Sequence, residues 1–347
     1  MKNNLKISTS IVLLASMLLF GIISFSNAEV NAAEYQWRLA HEEVEGSFYD
    51  LYANELKRLL AEKSDGRIAV DIYPAMSLGS SQDMVELVQD GVLEFNLASD
   101  GHIGSLVPEA QIFLLDYIFP QDIQVVLEAV NNGEAIELVN DGYRDRDLEP
   151  LSHVTAGWQL WTANKPLTSP EDFEGFRMRT MSSRLLIEAF EAYGANPTTL
   201  DFSEVYSGLQ LGVIDGQLNA AAVVEEMGFY EVQDYLMKSY SNPFMTSLVT
   251  NIEFYENLPD DIKKILDESV EELVSISYEL QKDLGEERLE IMLEEKPELE
   301  VIELTDEEIE EFKELSMSVR ETFKDIGGEN AEEILNLMIE DIEAASN

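Results

Sequence analysis

The chain has 347 residues and a formal net charge of −47, from 69 acidic against 22 basic side chains. A field of that sign repels nucleic acid and anionic lipid, so neither is expected as a partner. Cysteine is absent, which excludes a disulfide framework, thiolate catalysis, cysteine-ligated zinc and a lipidated N-terminal cysteine, while 45% hydrophobic residues argue against disorder.

Lys2 and Lys6 precede a short apolar run, Ile11 to Ile23. Ser26-Asn27-Ala28 then supplies a small-x-small cleavage site, with Val30-Asn31-Ala32 as a second candidate. The run is too short and too oddly flanked for a membrane span, so residues 1–28 are expected to be a cleaved export signal. Without a cysteine to lipidate, a diffusing mature protein needs an outer membrane to retain it, and the periplasm is the expected compartment.

About 315 mature residues suggest two domains. Tyr35 to Ala40 reads as a strand, and Phe48, Leu51, Tyr52, Leu56, Leu59 and Leu60 then recur at helical spacing. Arg67 to Tyr73 alternates into a second strand. Ser80 or Ser81 caps a helix carrying Met84, Val85 and Val88, and Leu93 to Ala98 makes a third strand. Strands alternating with helices predict a parallel sheet whose ligand crevice lies at the carboxyl ends of the strands. Glu42, Glu43 and the run Ser99 to His102 fall there.

The pattern repeats from about Leu151. Ser169-Pro170-Glu171-Asp172 has the residues of a capped turn, and Phe176 to Thr180 reads as a strand. Ser182 or Ser183 caps a helix with Leu186, Ala189, Phe190 and Tyr193, ended by Gly194 with Pro197 beyond it. Ser203 caps a further helix with Val205 and Leu209, and Asp215-Gly216 turns into the strand Gln217 to Ala221. From Pro259 a long amphipathic stretch runs through Ile262, Leu266, Leu273 and Leu280 towards Leu284. Acidic runs such as Glu271-Glu272, Glu294-Glu295 and Glu307 to Glu311 alternate with apolar residues as solvated helix faces do; a saline or alkaline habitat would fit. None has the spacing of a calcium loop.

Arg179 ends a predicted strand just before a helix start. Its planar guanidinium offers two parallel donors to a carboxylate, and helix N-terminal amides favour the same anion. From position alone a surface or interlobe salt bridge is equally open. Asn219 reads by itself as turn capping, and Phe202 and Phe244 read by themselves as core aromatics. No Gly-x-Ser-x-Gly elbow, P-loop or His-Glu-x-x-His helix is present, and His41, His102 and His153 are scattered. Neither a catalytic residue, a metal nor a cofactor is therefore expected.

The stretch Gly175 to Asn219, with its Arg177-Met178-Arg179 and Asp215-Gly216-Gln217-Leu218-Asn219 motifs, resembles the signature of the DctP-type solute receptors of TRAP transporters. The resemblance implies a two-lobed α/β binding-protein fold, hinged and spanned by a long helix. Lobe I would hold residues 33–156 and 245–284, lobe II residues 157–244 and 285–347. It also implies that Arg179 and Asn219 hold a ligand carboxylate, that Phe202 and Phe244 wall the ligand, and that a TRAP permease is the membrane partner. Trp37 to Gly46, Gly104 to Phe113 and Leu167 to Met181 closely resemble the ectoine-binding branch. There Glu43, with Glu42 beside it, would pair with the cationic ring of a zwitterion. His102 and Val223 stand where that branch places aromatic rings, and Phe202 replaces a tryptophan, so some cation–π surface is lost. Gln159 stands where many carboxylate binders carry a second arginine, which argues against a C4-dicarboxylate; Trp158 and Trp161 either flank the pocket or pack in the lobe. Closure would bring Glu43 and Ser99 to His102 onto a solute already gripped by Arg179 and Asn219. A binding protein of an ATP-driven importer, which would share lobes and signal, and an exported hydrolase are the rival readings.

Overall fold

The computed structural model describes residues 33–346; the predicted export signal lies outside them. Strand β1 (Tyr35–His41) leads into helix α1 (Phe48–Lys63), whose buried Phe48, Tyr52, Leu56, Leu59 and Leu60 form the face predicted from their spacing. Strand β2 (Ile68–Tyr73) returns parallel to β1. Helix α2 (Ser81–Gln89) starts at a capping box between Ser80 and Asp83, and β3 (Phe95–Ser99) lies parallel to β1 on its other side. Three parallel strands thus end together, carrying Glu42, Glu43 and Ser99 to one edge.

Beyond that unit the expectation of a parallel sheet needs correcting. Two long strands, β4 (Leu148–Ala163) and β8 (Tyr235–Asn251), run antiparallel to each other through the middle of the molecule. The sheet order is β2-β1-β3-β8-β4-β7, with β7 (Gly216–Ala220) antiparallel to β4 and β9 (Glu300–Glu303) parallel to β8. The start of β4 and the end of β8 belong to the half containing β3; the end of β4 and the start of β8 belong to the half containing β7. Between these halves the register slips on both sides of Trp158, whose partner is Pro243. Proline has no N–H for the ladder, and Gly157 (φ +107°) and Tyr240 (φ +50°) depart from extended geometry in the same segment.

The predicted strand Phe176 to Thr180 shrinks to β5 (Arg179–Thr180), which pairs with β6 (Thr198–Thr199). Arg177 is instead drawn outward onto the Asp215 carboxylate, 2.5 Å away. Ser183 caps α6 (Arg184–Ala192) as expected. Ser203 does not cap α7 (Val205–Gln210), because it lies inside a preceding 3-10 turn, Phe202–Glu204. Helix α8 (Ala221–Glu226) follows β7 directly. The long helix α10 (Asp260–Glu295), reached through α9 (Ile252–Glu256), has 36 residues and continues past Leu284. It packs on α1 and β4 and, further along, on α8, touching elements of both halves. Trp161 does not flank the cleft. It centres a separate aromatic core with Phe173, Phe190, Tyr193 and Phe312, its ring 5.0 Å from Phe312 and 5.1 Å from Phe173.

Candidate functional site

Glu42, Glu43, His102, Arg179, Met181, Phe202, Asn219, Val223 and Phe244 surround a single cavity between the halves of the sheet. Glu42 and Glu43 leave the end of β1, and His102 sits on the short helix α3 (Asp100–Ile103) that follows β3. Arg179 comes from β5, Asn219 from β7, Phe202 from the 3-10 turn and Phe244 from the middle of β8. The cavity holds about 10 Å³, room for about one water and well below the roughly 300–1,000 Å³ of small-molecule sites. A solute therefore needs the halves to separate before it is admitted. Outside lies a cleft mouth of about 360 Å³, lined from one half by Ser80 to Gln82 and Ser105 and from the other by Ser182 and Leu200 to Ser203. His102 and Phe202 line both spaces and stand between them.

Arg179 is only 2% exposed, yet it forms no ion pair among the described residues. Nε and Nη2 both donate to the Leu200 carbonyl, at 3.1 and 2.9 Å. A carbonyl orients a guanidinium without neutralising it. Burial depresses the arginine to about 10, opposed by the negative fields of Glu42 and Asp201. Asn219 is buried beside it, its amide donating to Gln217 Oε1 at 2.5 Å.

The two adjacent glutamates are held in opposite states. Burial alone would raise Glu42, but His102 Nδ1 at 3.1 Å and the hydroxyls of Ser81 and Ser99 outweigh it and hold the carboxyl at about 2. Glu43 accepts from the Tyr49 amide at 3.2 Å and from the Ser47 hydroxyl, both neutral donors. Burial, the charge of Glu226 and then that of Glu42 push Glu43 up to about 8. Glu42 is thus committed to His102, whereas Glu43 is a buried acid with no ion pair among the described residues.

Three of the predicted contacts are set back from the cavity. Ser99 Oγ lies 2.8 Å from His102 Nδ1, with the direction of that hydrogen bond set by the ring's tautomer, and so orients the ring. Gln159 is buried with its amide nitrogen on Asn242, and Trp158 packs on Tyr240 with its indole N–H on the Gln121 carbonyl, on another face of the molecule. Two residues escaped sequence reasoning. Tyr49 is buried and stacks on Phe244, 6.4 Å apart at 13°; its spacing matches ordinary helix core. Met181 reaches so close to Gly101 that a Cβ there would lie 2.2 Å from its terminal methyl.

A mixed sheet crossed twice by long strands, with a buried unpaired arginine facing glutamates across a cleft, defines a two-lobed solute-binding protein. Residues 39–325 match the bacterial extracellular solute-binding proteins of family 7, the DctP family, and the chain belongs to that family. It is 38% identical over 312 residues to the ectoine-binding periplasmic protein TeaA of Halomonas elongata, covering 90% of this chain and 91% of that one. It is 33% identical to the ectoine/5-hydroxyectoine-binding periplasmic protein UehA of Ruegeria pomeroyi, with the same coverage. The structure of the Halomonas elongata ectoine-binding protein, from a TRAP transporter, superposes with a TM-score of 0.85, over 89% of this chain and 99% of that one. An apo, open TRAP solute-binding protein of Marinobacter aquaeolei superposes at 0.83, with 38% identity, over 88% of this chain and 99% of that one. The chain is therefore a TRAP-type solute receptor, and the long helix and two lobes are those of its family.

Proposed function

We propose that the solute is a small zwitterion bearing one carboxylate and one delocalised cation, ectoine or a near relative. The observation that carries this reading is the buried, unpaired Arg179 facing a buried, uncompensated Glu43 across one cavity. Burying either charge alone is costly, and a solute carrying both complements satisfies the two together. Arg179 and Asn219 would take the carboxylate and Glu43 the cation. Phe202 and Phe244, the latter backed by Tyr49, would cover the ring. A dicarboxylate would set its second charge against Glu42 and Glu43. The ectoine-binding function of relatives 38% and 33% identical supports the same choice. His102 in place of a ring adds a hydrogen-bonding edge at the mouth, which favours a hydroxylated zwitterion as the second candidate.

In this reading the register slips around Trp158 are the hinge, with residues 33–156 and 245–284 on one side and 157–244 and 285–347 on the other. A solute touching both lobes binds the closed form better and shifts the population towards it. The closed receptor, exported to the periplasm after cleavage of residues 1–28, would then deliver the solute to its TRAP permease. A thermal-shift screen of ectoine, 5-hydroxyectoine, sugar acids and C4-dicarboxylates tests the assignment. At a hundred times its dissociation constant the true solute adds roughly 2.7 kcal/mol of stability. A shift with succinate or glucuronate and none with the ectoines refutes it.

A further inference from the structure

A second cavity, about 260 Å³, lies where β4 and β8 break register, walled by Ala156 to Leu160, Lys238, Tyr240 and the α10 segment Gln281 to Leu289. We infer that this hinge-face cavity is a second binding site, for a small aromatic monocarboxylate, and that its occupant biases the receptor towards closure.

The lining has the character of a site for such a molecule. Trp158 and Tyr240 meet edge to face, 5.8 Å apart at 77°, and the indole N–H is fixed on the Gln121 carbonyl at 3.2 Å. These rings and Leu289 form an apolar wall onto which a flat ring can pack. Lys238 and Lys282 line the same space and form no ion pair or hydrogen bond through their ammonium groups among the described residues. Lys63, Lys264, Lys296, Lys313 and Lys324 sit on carboxylates, whereas Lys238 and Lys282 share one cavity wall with their charges uncommitted. Glu286 also lines the cavity, so the three charges sum to a single positive one. That balance suits a monoanion and disfavours a dianion or phosphate.

Gly285 supplies an independent observation. It lies inside α10, where glycine costs roughly 1 kcal/mol against alanine. Yet a Cβ built there meets nothing within 4 Å, so no neighbour requires the small residue. Its effect is to leave space in the cavity. The walls come from the two strands that cross between the lobes and from the helix that spans them, so an occupant touches parts that move relative to one another. The cavity exists in the conformation with a tight cleft, and an occupant that prefers this conformation must tighten solute binding in return.

Indole-3-acetate and benzoate are suitable probes, titrated against the intact protein with calorimetry and thermal stability as readouts. Saturable binding is expected in the wild type and undiminished in Arg179→Ala, whose lesion lies in the cleft. It should fall at least tenfold in Gly285→Leu, which fills the cavity, and in Lys238→Gln/Lys282→Gln, which changes only exposed or half-exposed side chains. Indole and phthalate should bind more weakly than the monocarboxylates. With a saturating probe the cleft solute should bind several-fold tighter, within the roughly 5–150-fold range of such couplings. Absence of saturation at 10 mM probe (about 3 kcal/mol of binding), loss of binding in Arg179→Ala, or binding as tight as the wild type in both cavity variants overturns the site. Unchanged solute affinity with the probe bound overturns the coupling. The coupling rests on the cleft being the solute site; the binding measurements do not.

Discussion

Glu43→Gln separates a zwitterionic solute from a plain anion. In the tight cleft Glu43 titrates at about 8, against an ordinary 4.5, chiefly through burial and the charge of Glu226. When the lobes part, the carboxyl meets water and its acidity returns towards the ordinary value. Between those limits the closed form binds more protons than the open form, so closure is disfavoured as pH rises through that window. The interval from 4.5 to pH 7 is about 2.5 units, or roughly 3 kcal/mol at 1.36 kcal/mol per unit. That is on the order of 10²-fold in the closing equilibrium. A plain anion offers Glu43 no cation, so it must close over a protonated acid. It should therefore take up close to one proton at pH 7, and its affinity should fall towards tenfold per pH unit between 5 and 8. A zwitterion keeps Glu43 ionised through the cycle and should show neither effect. Glu43→Gln then tightens a plain anion by on the order of 10²-fold. The same change weakens a zwitterion by about 10–100-fold, through loss of a charge-assisted contact worth roughly 1.5–3 kcal/mol. Calorimetry in phosphate and in Tris at pH 7, on wild type and variant, reads affinity and proton uptake together. Ectoine binding with a whole proton taken up, or tightened by Glu43→Gln, would refute the pairing of Glu43 with a solute cation.

Arg179→Ala should abolish solute binding, a loss of about 2–5 kcal/mol for a desolvated charge pair, while circular dichroism is unchanged; retained affinity moves the carboxylate elsewhere. Gly101→Val should weaken the solute by widening the closed cleft, because its Cβ would overlap the Met181 methyl at 2.2 Å. Adding Met181→Ala should restore affinity, and X-ray scattering of the solute-bound variants reads the closure directly. Trp161→Ala should cost about 3–5 kcal/mol in urea denaturation, since the side chain is fully buried among Phe173, Phe190, Tyr193 and Phe312. Stopped-flow association of a net-neutral zwitterion should be nearly independent of salt between 0.05 and 0.5 M, where the screening length falls from about 14 to about 4 Å; a dianion should bind faster as salt screens the negative field.

Helix starts were largely legible because capping is local chemistry: Ser80 and Ser183, each one of two adjacent serines that the sequence offered, cap their helices, whereas Ser203 does not. The long strands were not. Residues of β4 and β8 are buried on both faces over most of their length, so the alternation that marks a strand disappears. Arg179, Asn219, Phe202 and Phe244 could be gathered into one site through their motifs, and Glu42, Glu43 and His102 from the strand ends of the first unit. Gln159 was placed through the resemblance and Trp158 was left open between pocket and packing; both fall in an irregular segment, where side-chain direction no longer follows simple alternation, and neither lines the cleft cavity. The different states of Glu42 and Glu43 were also out of reach. They hinge on Ser81 and Ser99 reaching one carboxyl and on Glu226, from the other half of the chain, facing its neighbour.

The acidity of the chain and the chemistry of its cleft then fit together. Most of the negative charge lies on exposed helix faces, such as those of α10 and of α11 (Asp306–Ile326), where water and counter-ions screen it. Arg179 is withdrawn from that surface, and its nearest neutral anchor, the Leu200 carbonyl, leaves its charge uncancelled. In low-dielectric surroundings one such guanidinium outweighs many distant screened carboxylates at contact range. The same burial makes Glu43 reluctant to ionise alone. A receptor built this way is poorly suited to concentrate free anions from solution, because the outer field opposes their approach. It is well suited to a solute with no net charge, which feels little of that field outside and meets both complementary charges only once the lobes have closed around it.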